Sequence, residues 1–249
     1  MERGEKMAKN ILVASGKGGA GKSTVSVFLG EALAGGKESV LILELDCGLR
    51  NLDVSLGLTD EIVFDFGDIL RGSCEAKDAV YNCRFCPNLS LIPASLKPVS
   101  VSAEDIKKVV SELGKNFDYI IFDCPAGLGD IFESAASFAD IALVIATPDP
   151  SSIRGARATG AKLLSLGVKE RRLVIERCPE KAKNLSPIKN LDEIIDGSEL
   201  QLIGVIWEDA FVRKSMDCGV PLEFESPNYK TFRDLSERIR GKYIPLGIK

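Results

Sequence analysis

The chain of 249 residues carries 32 Lys and Arg against 36 Asp and Glu, a net charge of −4, and 45% of it is hydrophobic. That length supports one large α/β domain with a sizeable core, and the mild acidity argues against a partner held by bulk phosphate attraction, such as DNA. No histidine is present, which excludes histidine-based catalysis and histidine-ligated metals.

The seven cysteines (Cys47, Cys74, Cys83, Cys86, Cys124, Cys178 and Cys218) are odd in number and widely scattered, so they do not read as a disulfide framework. The polar, charged start is not a secretory signal. Residues 1–9 are expected to be a disordered extension, with Met7 an alternative start, and residues 241–249 a tail. No apolar stretch reaches the ~20 residues of a membrane span; the best, Ala135 to Ala146, is interrupted by Asp140. A cytoplasmic protein is expected, built as a single domain over residues 1–249.

Strand-length apolar runs recur at Ile11–Ala14, Val40–Leu43, Tyr119–Phe122, Ile141–Ala146, Leu173–Ile175 and Leu202–Ile206. Each is apolar at both alternating sets of positions, the signature of strands buried on both faces of a parallel sheet. Helical spacing appears between them at Thr24–Ala34, Ala103–Leu113, Ser152–Leu166 and Asn228–Ile239. The alternation predicts an α/β fold, a mostly parallel twisted sheet with helices on both faces. Ligands bind such sheets at the carboxyl ends of the strands.

The first of these ends carries Gly16-Lys17-Gly18-Gly19-Ala20-Gly21-Lys22-Ser23-Thr24, a phosphate-binding loop between a strand and a helix. The glycines let successive N–H groups turn inward on an anion, and the helix start adds its positive end. Lys22 is placed to reach the β- and γ-phosphates of ATP, and the Ser23 hydroxyl to ligate Mg²⁺. The second strand leads into Asp46, positioned to orient an attacking or metal-bound water. A third ends Tyr119-Ile120-Ile121-Phe122-Asp123, an apolar run presenting one carboxylate to the Mg²⁺ shell.

Lys17 adds nothing to a minimal phosphate cradle. The segment Lys17–Ser23 resembles the deviant Walker A motif of the MinD/ParA ATPases, the P-loop NTPase family that includes the nitrogenase iron protein. Gly48-Leu49-Arg50-Asn51-Leu52-Asp53 is similar to the switch I segment of the MinD branch, and Asp123 with Pro125-Ala126-Gly127 to the family's switch II. The resemblance runs from Ile11 to about Ile239. It implies an ATP-dependent homodimer in which Lys17 reaches the partner's phosphates, and slow, dimer-dependent hydrolysis with Lys17, Lys22, Asp46 and Asp123 catalytic. It also implies Mg²⁺ on Ser23, Asp46 and Asp123, switch or interface roles for Asn51, Pro125 and Gly127, and a base edge formed by Arg177, Trp207 and Glu208. Glu176 stands where the family usually has an asparagine, Trp207 where it has a proline, and Glu44 where it has an aspartate.

The implied output is spatial regulation of cell division through regulatory proteins, with a peripheral position at the inner membrane face in reach. The family's C-terminal amphipathic helix is not legible: Tyr229, Phe232, Leu235 and Ile239 read as the stripe of a core helix, and the residues after it include two glycines and a proline. Nucleic acid is not an expected partner. The alternatives are a ParA-like or flagellar-number positioning ATPase, an iron-protein-like cluster carrier using Cys83 and Cys86, and a nucleotide-binding adaptor.

Overall fold

The computed structural model describes residues 7–179 and 188–247. In chain order the elements are β1 (Lys9–Ala14), α1 (Lys22–Ala34), β2 (Val40–Glu44), α2 (Leu52–Ser55), α3 (Phe66–Leu70), a 3₁₀ turn at Ala76–Ala79, β3 (Tyr81–Asn82) and β4 (Leu89–Ile92). There follow α4 (Ala103–Leu113), β5 (Tyr119–Asp123), α5 (Asp130–Ala136), β6 (Ile141–Ala146), α6 (Pro150–Ser165), β7 (Glu170–Cys178), α7 (Leu191–Ser198), β8 (Gln201–Trp207), α8 (Ala210–Cys218) and α9 (Pro227–Ile239).

The strands form one eight-stranded sheet in the order β3-β4-β2-β5-β1-β6-β7-β8. Every pairing is parallel except that of the two-residue β3 with β4. The alternating side chains of the strands feed two separate cores. Leu12, Ala14, Leu41, Leu43, Ile120 and Phe122 pack on one face with residues of α3 to α7. Ile11, Val13, Val40, Ile42 and Ile121 pack on the other with α1, α2, α8 and α9. A strand that must satisfy both cores has no polar face, which is why each reads as a continuous apolar run.

The six expected strands and four expected helices are all present, and the sheet is mostly parallel with helices on both faces. Two strands were not legible. β4 has Ser90 inside its apolar run, where the hydroxyl donates to Asn82 Oδ1 at 2.9 Å, and β3 is too short to show a period. β7 is longer than its apolar centre, because Glu170, Arg171 and Arg172 extend it beyond the buried stretch. The N-terminal boundary also moves: Ala8 is buried, its N–H donates to the Gly114 carbonyl at 2.8 Å, and Lys9 already belongs to β1. Residues 1–6 lie outside the described residues.

In α9, Phe232, Leu235 and Ile239 are buried in the second core, as expected of a helix that packs on the sheet. After it, Arg238 ties the following chain down, donating to the carbonyls of Ile244 and Pro245 and to Ile203 in β8. No described helix is long and apolar enough to cross a membrane.

Candidate nucleotide site

β1 lies at the centre of the sheet between β5 and β6, so the loop after it opens at the middle of the carboxyl edge. Gly19 and Gly21 take left-handed conformations with φ of 67° and 96°, which turns the backbone over before α1 begins at Lys22. Gly16 lies so close to α6 that a Cβ there would come within 2.6–2.8 Å of the Gly155 backbone. The loop is therefore seated on α6 by a glycine–glycine contact. The Ser15 hydroxyl donates to the Lys17 carbonyl at 2.8 Å, and the Gly127 N–H donates to the Ser15 carbonyl at 3.1 Å, fastening the Pro125–Gly127 turn to the loop.

Asp123 ends β5 opposite Val13 of β1 and Glu44 of β2. Its side chain is buried and accepts hydrogen bonds from Ser23 Oγ and Ser26 Oγ, both at 2.8 Å. Burial pushes its carboxyl up to about 6, against the opposing pull of the two serine hydroxyls and Lys22. Asp46 stands just beyond β2, half-buried; burial raises it and Lys22 draws it back. Lys22 itself is buried among these carboxylates.

Gly19, Gly21, Lys22, Ser23, Thr24, Asp46, Asn51, Arg177, Trp207 and Glu208 line one cavity of about 440 Å³. The donor set fits a nucleotide with its metal. A buried ammonium, hydroxyls and a glycine loop at a helix start suit a polyphosphate, and Ser23, Asp46 and Asp123 offer the hard oxygen ligands that Mg²⁺ takes. Arg177, one of the residues expected at the base edge, adopts φ of 52° where β7 slips register against β8. The bulge turns its guanidinium back onto the loop: it donates to the Gly19 carbonyl, and its Nε to Glu176 Oε2 at 2.7 Å. Glu176 is buried under the loop, its Cδ 2.5 Å from where a Gly21 Cβ would be. Trp207 is held by Asn228, which accepts from its N–H at 2.8 Å and donates to its carbonyl at 2.9 Å.

Lys17 does not line that cavity. Its ammonium contacts both oxygens of Asp149 at 3.1 Å, in an adjoining hollow with Gly18, Ala20 and Thr147 that shares the wall of Gly19 and Arg177 with it. Asp149 caps the start of α6. Burial raises its carboxyl, but the Thr147 hydroxyl, the Ser152 N–H and Lys17 together hold it below the usual range.

Several supporting residues were not found from sequence. Glu44, buried at the end of β2, accepts from the N–H groups of Asn51 at 2.9 Å and Leu52 at 3.1 Å through one oxygen, and from Ala94 at 3.0 Å through the other. It is thus a brace under the start of α2, while Arg50 pairs with Asp53 at 3.0 Å in the same segment. Ser26 and Asp149 were likewise unread. A hydroxyl one helical turn past Ser23 is the signal that could have found Ser26; Asp149 directly before Pro150 is a helix-start signal, and nothing local marks Glu44. The Cys83 and Cys86 thiols are pushed up to about 11 by burial, and no group of three or more metal-binding side chains is present among the described residues.

A sequence profile described as an AAA domain matches residues 8–166. The septum site-determining protein MinD of Bacillus subtilis is 36% identical, over 97% of this chain and 92% of its own length. The chain belongs to the MinD family of P-loop ATPases. The MinD of Escherichia coli is 30% identical over 96% of the chain and 93% of its own length. Among solved structures, the MinC:MinD cell division protein complex of Aquifex aeolicus superposes with a TM-score of 0.89 at 33% identity, covering 97% of this chain and 99% of that one. MinD of Pyrococcus horikoshii complexed with Mg-ADP gives 0.79 at 27% identity, covering 94% and 96%. These MinD relatives match over almost the whole chain, including β8, α8 and α9 beyond the profile.

Proposed function

We propose that this chain is a MinD-type ATPase that acts in placing the division septum, switching between monomer and ATP-bound homodimer as a single P-loop domain. ATP and Mg²⁺ are its cofactors. When bound, the metal supplies positive charge at the phosphate oxygens and orders water around them.

The chain's own residues divide the remaining work. The Gly16–Thr24 loop and Lys22 grip the phosphates, and Ser23, Asp46 and Asp123 hold the metal. Asp46 orients the attacking water. Arg177, Trp207 and Glu208 border the base. Asn51, on the segment braced by Glu44, and the Pro125–Gly127 turn, tied to Ser15, report the phosphate state to the subunit interface.

The observation that carries this reading is the placement of Lys17, outside the cavity that holds its own Lys22, Ser23 and Asp46 and half-exposed on the part-buried carboxylate of Asp149. An exposed ion pair of this kind contributes about 0–1 kcal/mol, so Asp149 yields the lysine readily to a stronger anion. A partner's triphosphate is such an anion, and in a low-dielectric interface the lysine would neutralise charge on the transferring phosphoryl group. The proposed cytoplasmic dimer then presents a new surface to regulatory proteins. Its association with the inner membrane face is peripheral.

Gel filtration with ATP or ADP, followed by co-sedimentation with anionic liposomes and separately with DNA, tests the reading. It predicts a dimer with ATP only, and liposome binding by that dimer. ATP-dependent DNA binding without liposome binding would instead support a ParA-like positioning role.

A further inference from the structure

Behind α1, away from the nucleotide site, lies a cavity of about 690 Å³, larger than the nucleotide cleft. Its walls include Phe28, Phe85, Phe224, Tyr229 and Phe232, from α1, the loop after β3, the segment after α8, and α9. Phe28 and Phe232 pack as a tilted pair with ring centroids 5.3 Å apart, and Phe224 and Tyr229 as another at 4.5 Å. Phe224 is 79% exposed and rests on Tyr229, which leaves much of its ring open to the cavity mouth.

The cavity also contains Glu31. Among the described residues its Oε1 is buried with no hydrogen-bond partner, and the backbone of Leu222 is the one hydrogen-bonding group acting on its carboxyl. An unsatisfied buried carboxyl oxygen is expensive. Neither rim arginine relieves it: Arg240 is engaged by Glu38 at 2.6 Å and by Glu237 at 3.1 Å, and Arg233 is exposed and is not among the groups acting on the Glu31 carboxyl. The nearby Glu223 is taken by Lys214 at 2.6 Å.

We propose that this cavity is a binding site for a small organic cation, a primary amine with an apolar body, whose ammonium pairs with Glu31 and whose body lies among the five aromatic rings. The volume falls within the range of small-molecule sites. Aromatic faces attract cations as well as burying apolar surface, and the ammonium supplies the hydrogen-bond donor that Oε1 lacks. Burial pushes the Glu31 carboxyl up to about 8; a cation beside it favours the charged form and offsets that burial. The site shares no lining residue with the nucleotide cleft, so it goes beyond the ATPase reading and does not rest on it.

The test is isothermal titration of the full chain with phenethylammonium chloride, and with phenethyl alcohol as the neutral counterpart of the same shape. The expected result is saturable binding of the amine at about millimolar affinity or tighter, with the alcohol and the Glu31→Gln variant each weaker by about tenfold or more. Phe224→Ala, which removes an exposed ring, should also weaken the amine. No saturable binding of the amine, or equal affinity for amine and alcohol, would overturn the proposal; the alcohol comparison needs no variant to fold.

Discussion

Gly16 is predicted to be far less replaceable than Gly18 in the phosphate loop, for a reason that has nothing to do with backbone torsion. An alanine there would bring its Cβ to 2.6 Å from the Gly155 carbonyl oxygen and 2.7 Å from its Cα. These are backbone atoms, so no side chain can move aside, and α6 or the loop must shift by several tenths of an ångström. Overpacking of that kind costs about 1–3 kcal/mol. Gly155→Ala makes the reciprocal contact more gently, at 3.3 Å from Gly16, and should cost less. Gly18→Ala meets nothing within 4 Å and should leave the fold intact, or stabilise it by about 0.4–1 kcal/mol through the unfolded chain. Urea denaturation of the three variants without nucleotide gives the ranking directly. ATP affinity should fall with Gly16→Ala, because the displaced loop no longer directs its N–H groups at the phosphates. Equal stability of Gly16→Ala and Gly18→Ala would refute the seating of the loop on α6.

Glu44→Ala should loosen the start of α2 by removing the acceptor of three N–H groups; hydrogen exchange should show the amides of Asn51, Leu52 and Ala94 losing protection by about tenfold or more, while β1 and β6 are unchanged. Glu31 makes stability depend on pH. Its folded value, raised by burial from 4.5 to about 8, means that the unfolded chain loses the proton first. The stability held below pH 4.5 is then progressively lost up to about pH 8. The groups around it do not reverse this: the Cys83 and Cys86 thiols, pushed up to about 11, stay neutral through the window, Glu223, Glu225 and Glu237 are acidic, Arg240 is already paired, and Arg233 is not among the groups acting on the carboxyl. Glu31→Gln should therefore gain stability relative to wild type across that window, by up to about 5 kcal/mol, read from denaturation midpoints at its two ends; parallel pH profiles would contradict the assignment.

Much of this protein was legible because its sheet is buried on both faces. Ile11 and Val13 serve one core, Leu12 and Ala14 the other, so β1 is apolar throughout and the loop after it falls at a sheet edge. The spacing of Gly16–Thr24 and the apolar run ending at Asp123 then picked out the groups proposed to hold phosphate and metal, and the structure brings Lys22, Ser23 and Asp46 into one cavity beside Asp123. What was not legible depends on contacts distant in sequence. Asp149 engages Lys17 across 132 positions, and Glu44 braces both Asn51 and Ala94, 7 and 50 positions away. β4 was hidden by Ser90, whose polarity is satisfied by Asn82 on the neighbouring strand. Short helices such as α2, with 4 residues, carry too little periodicity to be read.

The central claim is that Lys17 serves the partner's nucleotide. Mixing Lys17→Ala with Asp46→Ala, each inactive alone, tests it most directly. If Lys17 acts across the dimer, a mixed dimer holds one complete site: the Asp46 of the first variant with the Lys17 of the second. Random pairing then restores roughly one quarter of the wild-type ATPase rate. If Lys17 acts on its own subunit's nucleotide, every site lacks one of the two residues, and a mixture as inactive as its components, despite mixed dimers forming, would contradict the account.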